Sequence, residues 1–296
     1  SKAFHERTLC FMPRTYNQIY IATRKKLREA EFSSPGLGAR LLIAHAAGKT
    51  ADALLRDMSL YTSDEVGRKT EEMLARRLAG EPVAYITGSW EFYGLPILVN
   101  RDVLIPRNDT ELLVEAAVRA LKGRKMDARI VDLCTGSGCV GCAIAKELPA
   151  THVLLTDKSP GALKIAKQNV LNLKLNPRVS CMELDALAQP PMMIGSFDLL
   201  VCNPPYIPSG DIEGLEASVR DYEPMDALDG GEDGLDFYGQ ILDKWRNVVR
   251  IGGAMMFEVG IHQAEPVMAL MRAAGLDHVG ALRDTQGIER VVFGSI

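Results

Sequence analysis

Four consecutive residues, Asn203, Pro204, Pro205 and Tyr206, carry the most informative chemistry in the sequence. The apolar run before them, residues 199–202, predicts a buried strand that ends at this turn. Neither proline has a backbone N–H, so the turn presents carbonyl oxygens with few competing donors. The Asn203 side-chain oxygen adds a further acceptor, and two adjacent acceptors suit the two hydrogens of a planar NH2 group. Tyr206 offers a flat face on which such a planar group can stack. We interpret the tetrad as a catalytic and substrate-binding loop, because a proline-stiffened turn explains only two of its residues.

A glycine-rich turn earlier in the chain predicts a nucleotide-like ligand. Residues 130–133 predict a strand, and the turn after it leads into a predicted helix, whose N-terminus offers free N–H groups. The spacing D-x-C-x-G-x-G from Asp132 differs from the G-x-G-x-x-G of dinucleotide dehydrogenases. It resembles the spacing in methyltransferases that bind S-adenosylmethionine, in which case Asp132 either faces the ammonium group of that cofactor or orients the turn. The other candidate cofactor-binding residues are Cys134, Thr135, Gly136, Ser137 and Gly138, with Asn203 at a neighbouring strand end.

Acidic residues at the ends of the next two predicted strands extend this site. Residues 153–156 predict a strand that ends in Asp157, 25 positions after Asp132. An acid there can accept hydrogen bonds from both hydroxyls of a ribose. Its other possible role, capping the following helix, is already filled by Ser159. Asp185, which is followed by Ala186 after the third strand, either accepts from an adenine amino group or is an ordinary loop carboxylate.

Strand and helix patterns alternate from Asp109 onward, which is typical of a doubly wound, Rossmann-like α/β domain. We predict that this domain spans residues 109–296 and has the class I methyltransferase fold. Ligands bind at the carboxyl ends of parallel strands in such a sheet, so the glycine turn, Asp157 and Asn203 are expected to converge. The candidate strands are residues 130–133, 153–156, 179–184, 199–202 and 254–259, and the helical patterns include residues 140–148 and 237–249.

The first part of the chain has a different pattern. Apolar positions recur at helical spacing over residues 14–84 and predict a small helical domain. Within it, Thr62 and Glu65 have the spacing of a capping box, and His45 falls on an apolar face and is expected in the core. Residues 85–108 mix β-formers with turn residues and predict a β-hairpin linker between the two domains.

Composition limits the remaining function classes. The 296 residues carry a formal net charge of −4, which gives no electrostatic reason to expect direct nucleic-acid binding. The one C-x-x-C, Cys139 with Cys142, has no second pair, so we interpret it as packing and expect no metal site.

No apolar run approaches the roughly 18 residues of a membrane span. Residues 1–12 lack the core of a signal peptide and are interpreted as a tag remnant or an upstream extension. A cytoplasmic protein is expected, with a monomer as the default state.

Together these motifs resemble one family. Asn-Pro-Pro-Tyr occurs in amino methyltransferases that act on adenine N6, cytosine N4 and glutamine N5. The chain after about residue 15 is similar to the glutamine N5-methyltransferases of peptide chain release factors, the HemK/PrmC family. That resemblance implies S-adenosylmethionine as methyl donor, the glutamine of the release factor Gly-Gly-Gln loop as target, and a helical domain that helps to recognise the release factor. Further matching stretches are Arg76-Arg77, Gly80-Glu81-Pro82, Glu91-Phe92, Leu104-Ile105-Pro106-Arg107, Asp109-Thr110-Glu111 and Glu289-Arg290-Val291.

Two positions depart from the family pattern, and other functions share parts of it. Cys134 stands where the family usually has glycine and could crowd the cofactor, whereas Asn108 replaces a proline without removing a chemical group. A glutamine methyltransferase of a ribosomal protein would be hard to separate by motifs. A nucleic-acid adenine N6 amino methyltransferase would share the reaction centre, but the mild acidity argues against it. The intact Asp157 and Asn203 argue against a binding module that has lost its cofactor.

Overall fold

The computed structural model describes residues 13–123 and 127–296. The predicted tag remnant or extension, residues 1–12, lies outside the described residues. Two compact units divide the chain between Thr87 and Gly88. Over the described ranges, the first unit is helical apart from one isolated β-bridge, whereas the second contains a hairpin and a larger sheet.

The first unit is built from amphipathic helices, each of which buries one face. They are α1 (Tyr16–Glu29), α2 (Pro35–Ala47), α3 (Ala51–Arg56), α4 (Asp64–Leu78) and α5 (Val83–Thr87). In α1 the buried residues are Tyr16, Ile19, Thr23 and Leu27, which recur at helical spacing. The helical region predicted from the sequence is confirmed.

The residue that caps α4 differs from the prediction. The hydroxyl of Ser63, not that of Thr62, accepts a hydrogen bond from a backbone N–H in the first turn, that of Val66, at 3.4 Å. The backbone N–H of Thr62 donates to the carbonyl of Arg14 at 2.9 Å. Thr62 is therefore held in an extended segment ahead of the helix, and the next hydroxyl along the chain takes the capping position.

The prediction that His45 belongs to the core is wrong. The buried residues of α2 are Ala39, Leu42, Ile43, Ala44 and Ala46, whereas His45 is exposed. Its position on the helix lies outside the arc that these five residues define. A polar ring therefore stays in water at no cost to the packing of the first unit.

A two-stranded hairpin opens the second unit. Its strands, β1 (Ser89–Phe92) and β2 (Leu95–Leu98), pair antiparallel and confirm the hairpin prediction. Tyr93 and Gly94 join them with φ angles of +52° and +69°, as a tight two-residue hairpin turn requires. The Asn169 side chain accepts from the Leu98 backbone N–H at 2.7 Å and donates to its carbonyl at 3.0 Å. The hairpin is therefore bonded into the body of this unit.

A seven-stranded sheet forms the centre of the second unit. Its strands are β3 (Arg129–Leu133), β4 (His152–Asp157), β5 (Val179–Glu183), β6 (Phe197–Cys202), β7 (Val249–Glu258), β8 (Asp277–Arg283) and β9 (Glu289–Ser295). They lie in the order β5-β4-β3-β6-β7-β9-β8. Neighbouring strands from β5 to β7 are parallel, and β9 is antiparallel to both of its neighbours, β7 and β8. The strand order reverses beside β3, so the carboxyl ends of β3, β4 and β6 border one crevice.

Helices cover the sheet, as a doubly wound fold requires. They are α6 (Glu111–Leu121), α7 (Cys139–Glu147), α8 (Pro160–Asn172), α10 (Asp236–Trp245) and α11 (Ala264–Ala273), whereas the short α9 (Ala217–Arg220), in the connection after β6, buries no residue. Over residues 13–123 and 127–296, no helix combines the length and the apolar character that a membrane crossing needs. The α/β fold class predicted from the alternating pattern is confirmed.

Two details of the sheet differ from the sequence prediction. The α-helix predicted over residues 237–249 ends at Trp245 and continues as one 3-10 turn over Arg246–Val248, whereas Val249 already pairs with Phe197 in the ladder between β6 and β7. Pairing with a neighbouring strand therefore overrides the local helical pattern. The antiparallel strands β8 and β9 had no counterpart among the candidate strands, because their alternation of buried and exposed residues is weak.

Aromatic residues at the carboxyl edge of the sheet anchor the loops that follow the strands. Tyr238 and Trp245 of α10 are fully buried, and Tyr238 packs edge-on against Phe257 with ring centroids 5.6 Å apart. The Tyr238 hydroxyl donates to the Glu258 carbonyl at 2.8 Å, and the Trp245 indole N–H donates to the Ala186 carbonyl at 3.0 Å. Packing in the core thereby fixes two chain segments that border the crevice.

Two helical glycines provide a test of this packing. A Cβ atom at Gly141 of α7 would lie 2.2 Å from the Leu155 side chain, whereas at Gly239 of α10 it would meet nothing within 4 Å. We expect Gly141→Ala to lower the free energy of unfolding by about 1–3 kcal/mol through overpacking. The matched Gly239→Ala should raise it by about 0.5–1 kcal/mol, because alanine restricts the unfolded chain. Urea denaturation measures both, and equal shifts would contradict the close packing at Gly141.

Candidate active site

A cavity of ≈ 310 Å³ lies at the crevice where the strand order reverses. The turn after β3, the ends of β4 and β6, and the loop after β5 all contribute to its lining. The sequence-predicted residues that line it are Asp132, Cys134, Thr135, Gly136, Ser137, Asp157, Asp185, Ala186, Asn203 and Pro205. Gly138, Pro204 and Tyr206 belong to the same turn and loop but are not among the lining residues. One cavity therefore joins the two groups of residues that the sequence singled out.

Asp132 organises the turn after β3 from beneath. Its Oδ2 accepts from the Thr135 hydroxyl at 2.6 Å and from the Gly141 backbone N–H at 3.0 Å. The side chain is almost completely buried, and burial raises the pKa of this carboxyl to about 7. Of the two roles considered from the sequence, orienting the turn is visible in these contacts. The residue also borders the cavity, so its carboxyl can interact with a bound cation as well.

The turn itself depends on left-handed backbone conformations. Gly136 and Gly138 have φ angles of +54° and +80°, which glycine adopts without strain. Cys134 has φ +54°, a conformation that costs an L-residue with a Cβ atom roughly 1–2 kcal/mol. The departure from the family's glycine therefore falls at a position where the backbone itself favours glycine.

Asp157 closes the opposite side of the turn. Its two carboxylate oxygens accept one backbone N–H each, from Gly136 at 2.9 Å and from Ser159 at 2.9 Å. Burial raises the pKa of this carboxyl, and these hydrogen bonds oppose that rise. A carboxylate has about four lone-pair positions, so each oxygen can still accept from a ligand hydroxyl. The hydroxyl of Ser159 caps α8 by accepting from Ala162 at 3.2 Å, as the sequence predicted.

The loop after β5 is held mainly through its backbone. Asp185 is exposed and lines the cavity, and its Oδ1 accepts from the Leu187 backbone N–H at 2.8 Å. Ala186 is buried beside it, and its carbonyl is fixed by Trp245. The carboxylate of Asp185 therefore stabilises its own loop and also remains accessible to a ligand.

The loop after β6 places the Asn203 amide at the cavity, where the Thr110 hydroxyl also borders it. Asn203 lines the cavity, and its Nδ2 donates to the Thr110 hydroxyl at 3.4 Å. Pro204 and Pro205 are buried, and the half-buried Tyr206 donates its hydroxyl to Glu258 Oε1 at 3.4 Å. Burial, followed by the neighbouring Glu258 carboxyl, raises the pKa of Tyr206.

Neighbouring chain segments clamp this loop from outside. The side-chain amide of Gln263 donates to the Tyr206 carbonyl at 2.8 Å and accepts from the Gly260 backbone N–H at 2.8 Å. A Cβ atom at Gly230 would lie 2.7 Å from the Tyr206 Cα, and at Gly234 it would lie 2.3 Å from the Tyr206 carbonyl oxygen. Both positions therefore need glycine, and they let another loop press directly against the backbone of the tetrad.

Three residues of this surrounding network were missed from the sequence. Thr110 lay inside a stretch that matches the family but was given no role. Gln263 has no local signal in the sequence, because its contact is with the distant Tyr206 carbonyl. Glu258 did have one, since it is the charged residue in the otherwise apolar candidate strand over residues 254–259, at the edge of the sheet where ligands bind. Metal-binding groups of histidine, cysteine or acidic residues are absent from residues 13–123 and 127–296, and Cys139 and Cys142 are buried in α7.

Comparisons with known proteins agree over nearly the full length of the chain. The family model for the PrmC N-terminal domain matches residues 18–88, and the model for the methyltransferase small domain matches residues 108–215. A release factor glutamine methyltransferase of Geobacter sulfurreducens is 38% identical over 95% of this chain and 97% of its own length. One from Caulobacter vibrioides is 37% identical over 96% of this chain and 97% of its own. The chain belongs to the release factor glutamine methyltransferase family.

A solved structure outside this family shares the fold. The hMettl16 catalytic domain, in complex with the MAT2A 3'UTR hairpin 6, is 17% identical and covers 76% of this chain and 82% of its own length, with a TM-score of 0.57. At that identity the likeness extends only to the fold. It supports a Rossmann-like methyltransferase architecture for the second unit of this release factor glutamine methyltransferase family member.

The cavity of this family member fits S-adenosylmethionine, the methyl donor that the family and the methyltransferase domain imply. Three carboxylates border it, from Asp132, Asp157 and Asp185, and they complement the positive ammonium and sulfonium groups of this cofactor. Apolar side chains such as Val140 and Leu184 line the space between them, as an adenine ring requires.

Replacing Asp157 should test the ribose-binding role. We expect Asp157→Ala to weaken S-adenosylmethionine binding by about ten- to a hundredfold, the scale of lost hydrogen bonds to a charged group. Asp277→Ala, which removes an exposed acid of β8 outside the cavity lining, serves as the matched control for net charge. Calorimetry on both variants measures the affinities, and an unchanged value for Asp157→Ala would remove this residue from the cofactor site.

Replacing Cys134 should separate backbone strain from side-chain chemistry. Cys134→Gly relieves the left-handed strain but loosens the unfolded chain, so we expect the free energy of unfolding to rise by up to about 1 kcal/mol. Cofactor affinity should stay equal or improve. Cys134→Ala keeps the strain, removes only the thiol, and should match the wild type. Denaturation and calorimetry measure both quantities, and a large affinity loss in both variants would show that the thiol is required.

Proposed function

We propose that the protein transfers the methyl group of S-adenosylmethionine to the side-chain amide nitrogen, N5, of the glutamine in the Gly-Gly-Gln loop of peptide chain release factors. The observation that carries this proposal is the single cavity that joins Asp157 and the glycine turn to Asn203 and Pro205. The near full-length similarity to release factor glutamine methyltransferases supports the choice of substrate.

The proposed cofactor-holding residues surround the cavity on three sides. Asp157 would accept from the ribose hydroxyls, Asp185 and the Ala186 region would meet the adenine, and the turn from Asp132 to Gly138 would face the amino-acid end. When bound there, S-adenosylmethionine supplies an electrophilic methyl group on a sulfonium. The three carboxylates would hold the cofactor, and each of them is already fixed by a hydrogen bond within its own turn or loop.

The target amide explains the choice of acceptors at the tetrad. An amide nitrogen is a poor nucleophile, because its lone pair is delocalised into the carbonyl. As the pair localises for attack, the N–H bonds become more polar, so acceptors aimed at them bind the transition state better than the ground state. We assign one N–H to Asn203 Oδ1 and the other to the Pro204 carbonyl. Tyr206 and Pro205 would hold the amide plane, and the surplus proton leaves to water after transfer.

The first unit supplies the proposed recognition of the protein substrate. Its helices match the PrmC N-terminal domain over residues 18–88, the segment that the sequence assigned to a substrate-recognition domain. A glutamine in a protein loop is attached to a folded substrate, so we expect its recognition to need a surface beyond the cavity. A substrate that works in translation places the proposed reaction in the cytoplasm.

The substrate assignment is tested by methyl transfer from labelled S-adenosylmethionine. We expect label in a bacterial release factor and none in the same factor when its loop glutamine is replaced by alanine. Adenine-containing DNA and ribosomal proteins, assayed alongside, represent the alternative substrates and should stay unlabelled. Label in DNA or in a ribosomal protein, with none in the release factor, would overturn the proposed substrate while leaving the methyltransferase activity established.

The role of Asn203 is tested by removing its amide. We expect Asn203→Ala to lower kcat by about 10²–10³, the effect of deleting one preorganised polar group, and to leave cofactor affinity nearly unchanged. Asn203→Asp keeps an acceptor but adds a buried charge, so its activity should fall and acquire a new pH dependence. Asn172→Ala, at an exposed position of α8, serves as the control and should keep wild-type kinetics. Single-turnover transfer by Asn203→Ala at the wild-type rate would exclude this mechanism.

A further inference from the structure

Glu258 is a buried carboxyl that the proposed transfer does not use. It ends β7, beside the loop that follows β6, and its side chain is almost completely buried. Its Oε1 accepts from the Tyr206 hydroxyl at 3.4 Å, while its Oε2 is buried without a hydrogen-bond partner among the residues that the structure describes. Burying such a group is costly. A carboxyl kept there, directly behind the catalytic loop, indicates a role in that loop.

Thr110 lies between this carboxyl and the catalytic amide. Its hydroxyl hydrogen-bonds the Glu258 carboxyl, an interaction that lowers the pKa of a group that burial raises to about 7. The same hydroxyl accepts from Asn203 Nδ2 at 3.4 Å. Thr110 immediately precedes α6 and is almost completely buried, yet its hydroxyl makes no capping hydrogen bond to that helix. The hydroxyl is therefore directed to Glu258 and Asn203 rather than used to stabilise α6.

A hydroxyl has one hydrogen, and this sets the direction of the hydrogen-bond chain. The Thr110 hydrogen bond lowers the pKa of Glu258, so it is donated to the ionised carboxyl, which can only accept. In this form of the site Thr110 gives its hydrogen to Glu258 and has only lone pairs left for Asn203. Asn203 must then turn its NH2 group toward Thr110. The two ends of an asparagine amide have nearly the same shape, so packing alone does not choose between them. Polar partners make that choice, and with the nitrogen held by Thr110 the oxygen is left for the cavity.

We propose that Glu258 and Thr110 are positioning residues that fix the orientation of the Asn203 amide, so that Oδ1 rather than Nδ2 faces the target NH2 group. This inference rests on the proposed function, in which Asn203 Oδ1 accepts from the substrate. A reversed amide would meet the substrate's N–H groups with N–H groups of its own. The acceptor would be lost at the step where it matters most. Glu258 thus acts on the reaction without touching substrate or cofactor.

Substitutions at Thr110 test the central residue of this hydrogen-bond chain. Thr110→Val keeps the shape but removes the hydroxyl, and we expect kcat to fall about 10–100-fold while cofactor affinity stays within about twofold. Thr110→Ser restores the hydroxyl and should recover most of the wild-type kcat. Thr151→Val serves as the matched control. Thr151 is also buried, and its hydroxyl donates to the Leu148 carbonyl at 2.8 Å, away from the cavity. This control should lose stability but keep kcat.

Glu258→Gln tests the direction of the hydrogen-bond chain. A carboxamide can donate to the Thr110 hydroxyl, which is then free to donate to Asn203, so the Asn203 amide loses its fixed orientation. We expect kcat to fall to the level of Thr110→Val. A kcat for Thr110→Val and Glu258→Gln equal to that of the wild type would overturn the proposal.

A measurement without substrate separates this proposal from the proposed function. With selective ¹⁵N-asparagine labelling, the side-chain NH2 signal of Asn203 is assigned as the one lost in Asn203→Ala. We expect its hydrogen exchange to accelerate at least about tenfold in Thr110→Val and to stay near the wild-type rate in Thr110→Ser. Unchanged exchange in Thr110→Val would overturn the orientation role even if the wild type methylates a release factor. If the wild type methylates none, the proposed function fails, and the exchange rates still decide the orientation.

Discussion

The buried carboxylate of Asp132 is the interaction on which the cofactor side of this protein depends. It sits at the carboxyl end of β3 and holds the turn through Thr135 and the start of α7 through Gly141. A carboxylate accepts several donors at once, so one side chain ties a strand end, a turn and a helix N-terminus together. Burial at this place is tolerated because the donors are backbone and hydroxyl groups that would otherwise be unsatisfied. The left-handed turn, and with it the cavity, follows from this single arrangement.

The substrate side is organised differently, by contacts from distant parts of the chain. Gln263 fixes the Tyr206 carbonyl, and glycines of another loop press against the same backbone. Thr110 contacts the Asn203 amide, and Glu258 contacts the Tyr206 hydroxyl. Preorganisation of this kind matters for an amide substrate, because weak nucleophiles depend on acceptors that are already in place when charge develops. The rigidity of the loop therefore comes from its tertiary neighbours as much as from its two prolines.

Local pattern in the sequence was sufficient for the fold class, for the helical first unit and hairpin, and for the residues that meet at the carboxyl edge of the sheet. Strand ends, glycine spacing and the Asn-Pro-Pro-Tyr tetrad are local signals, and parallel strands bring their carboxyl ends together in any doubly wound sheet. The local pattern predicted the wrong structure where contacts between residues distant in sequence determine the conformation. Val249 joined a strand because Phe197 pairs with it, and Thr62 lost the capping position because Arg14 holds it in an extended segment.

The sequence by itself determined which side chains could perform the chemistry, since an asparagine followed by two prolines and an acid 25 positions after another acid are readable without coordinates. Only the tertiary structure decided how those side chains are held. Glu258 and Thr110 lie 148 positions apart in the chain, and their hydroxyl–carboxyl contact exists only because β7 and the segment before α6 meet behind β6. The direction of a hydrogen-bond chain depends on which donors and acceptors face each other. That property belongs to the folded arrangement and leaves no periodic trace in the sequence.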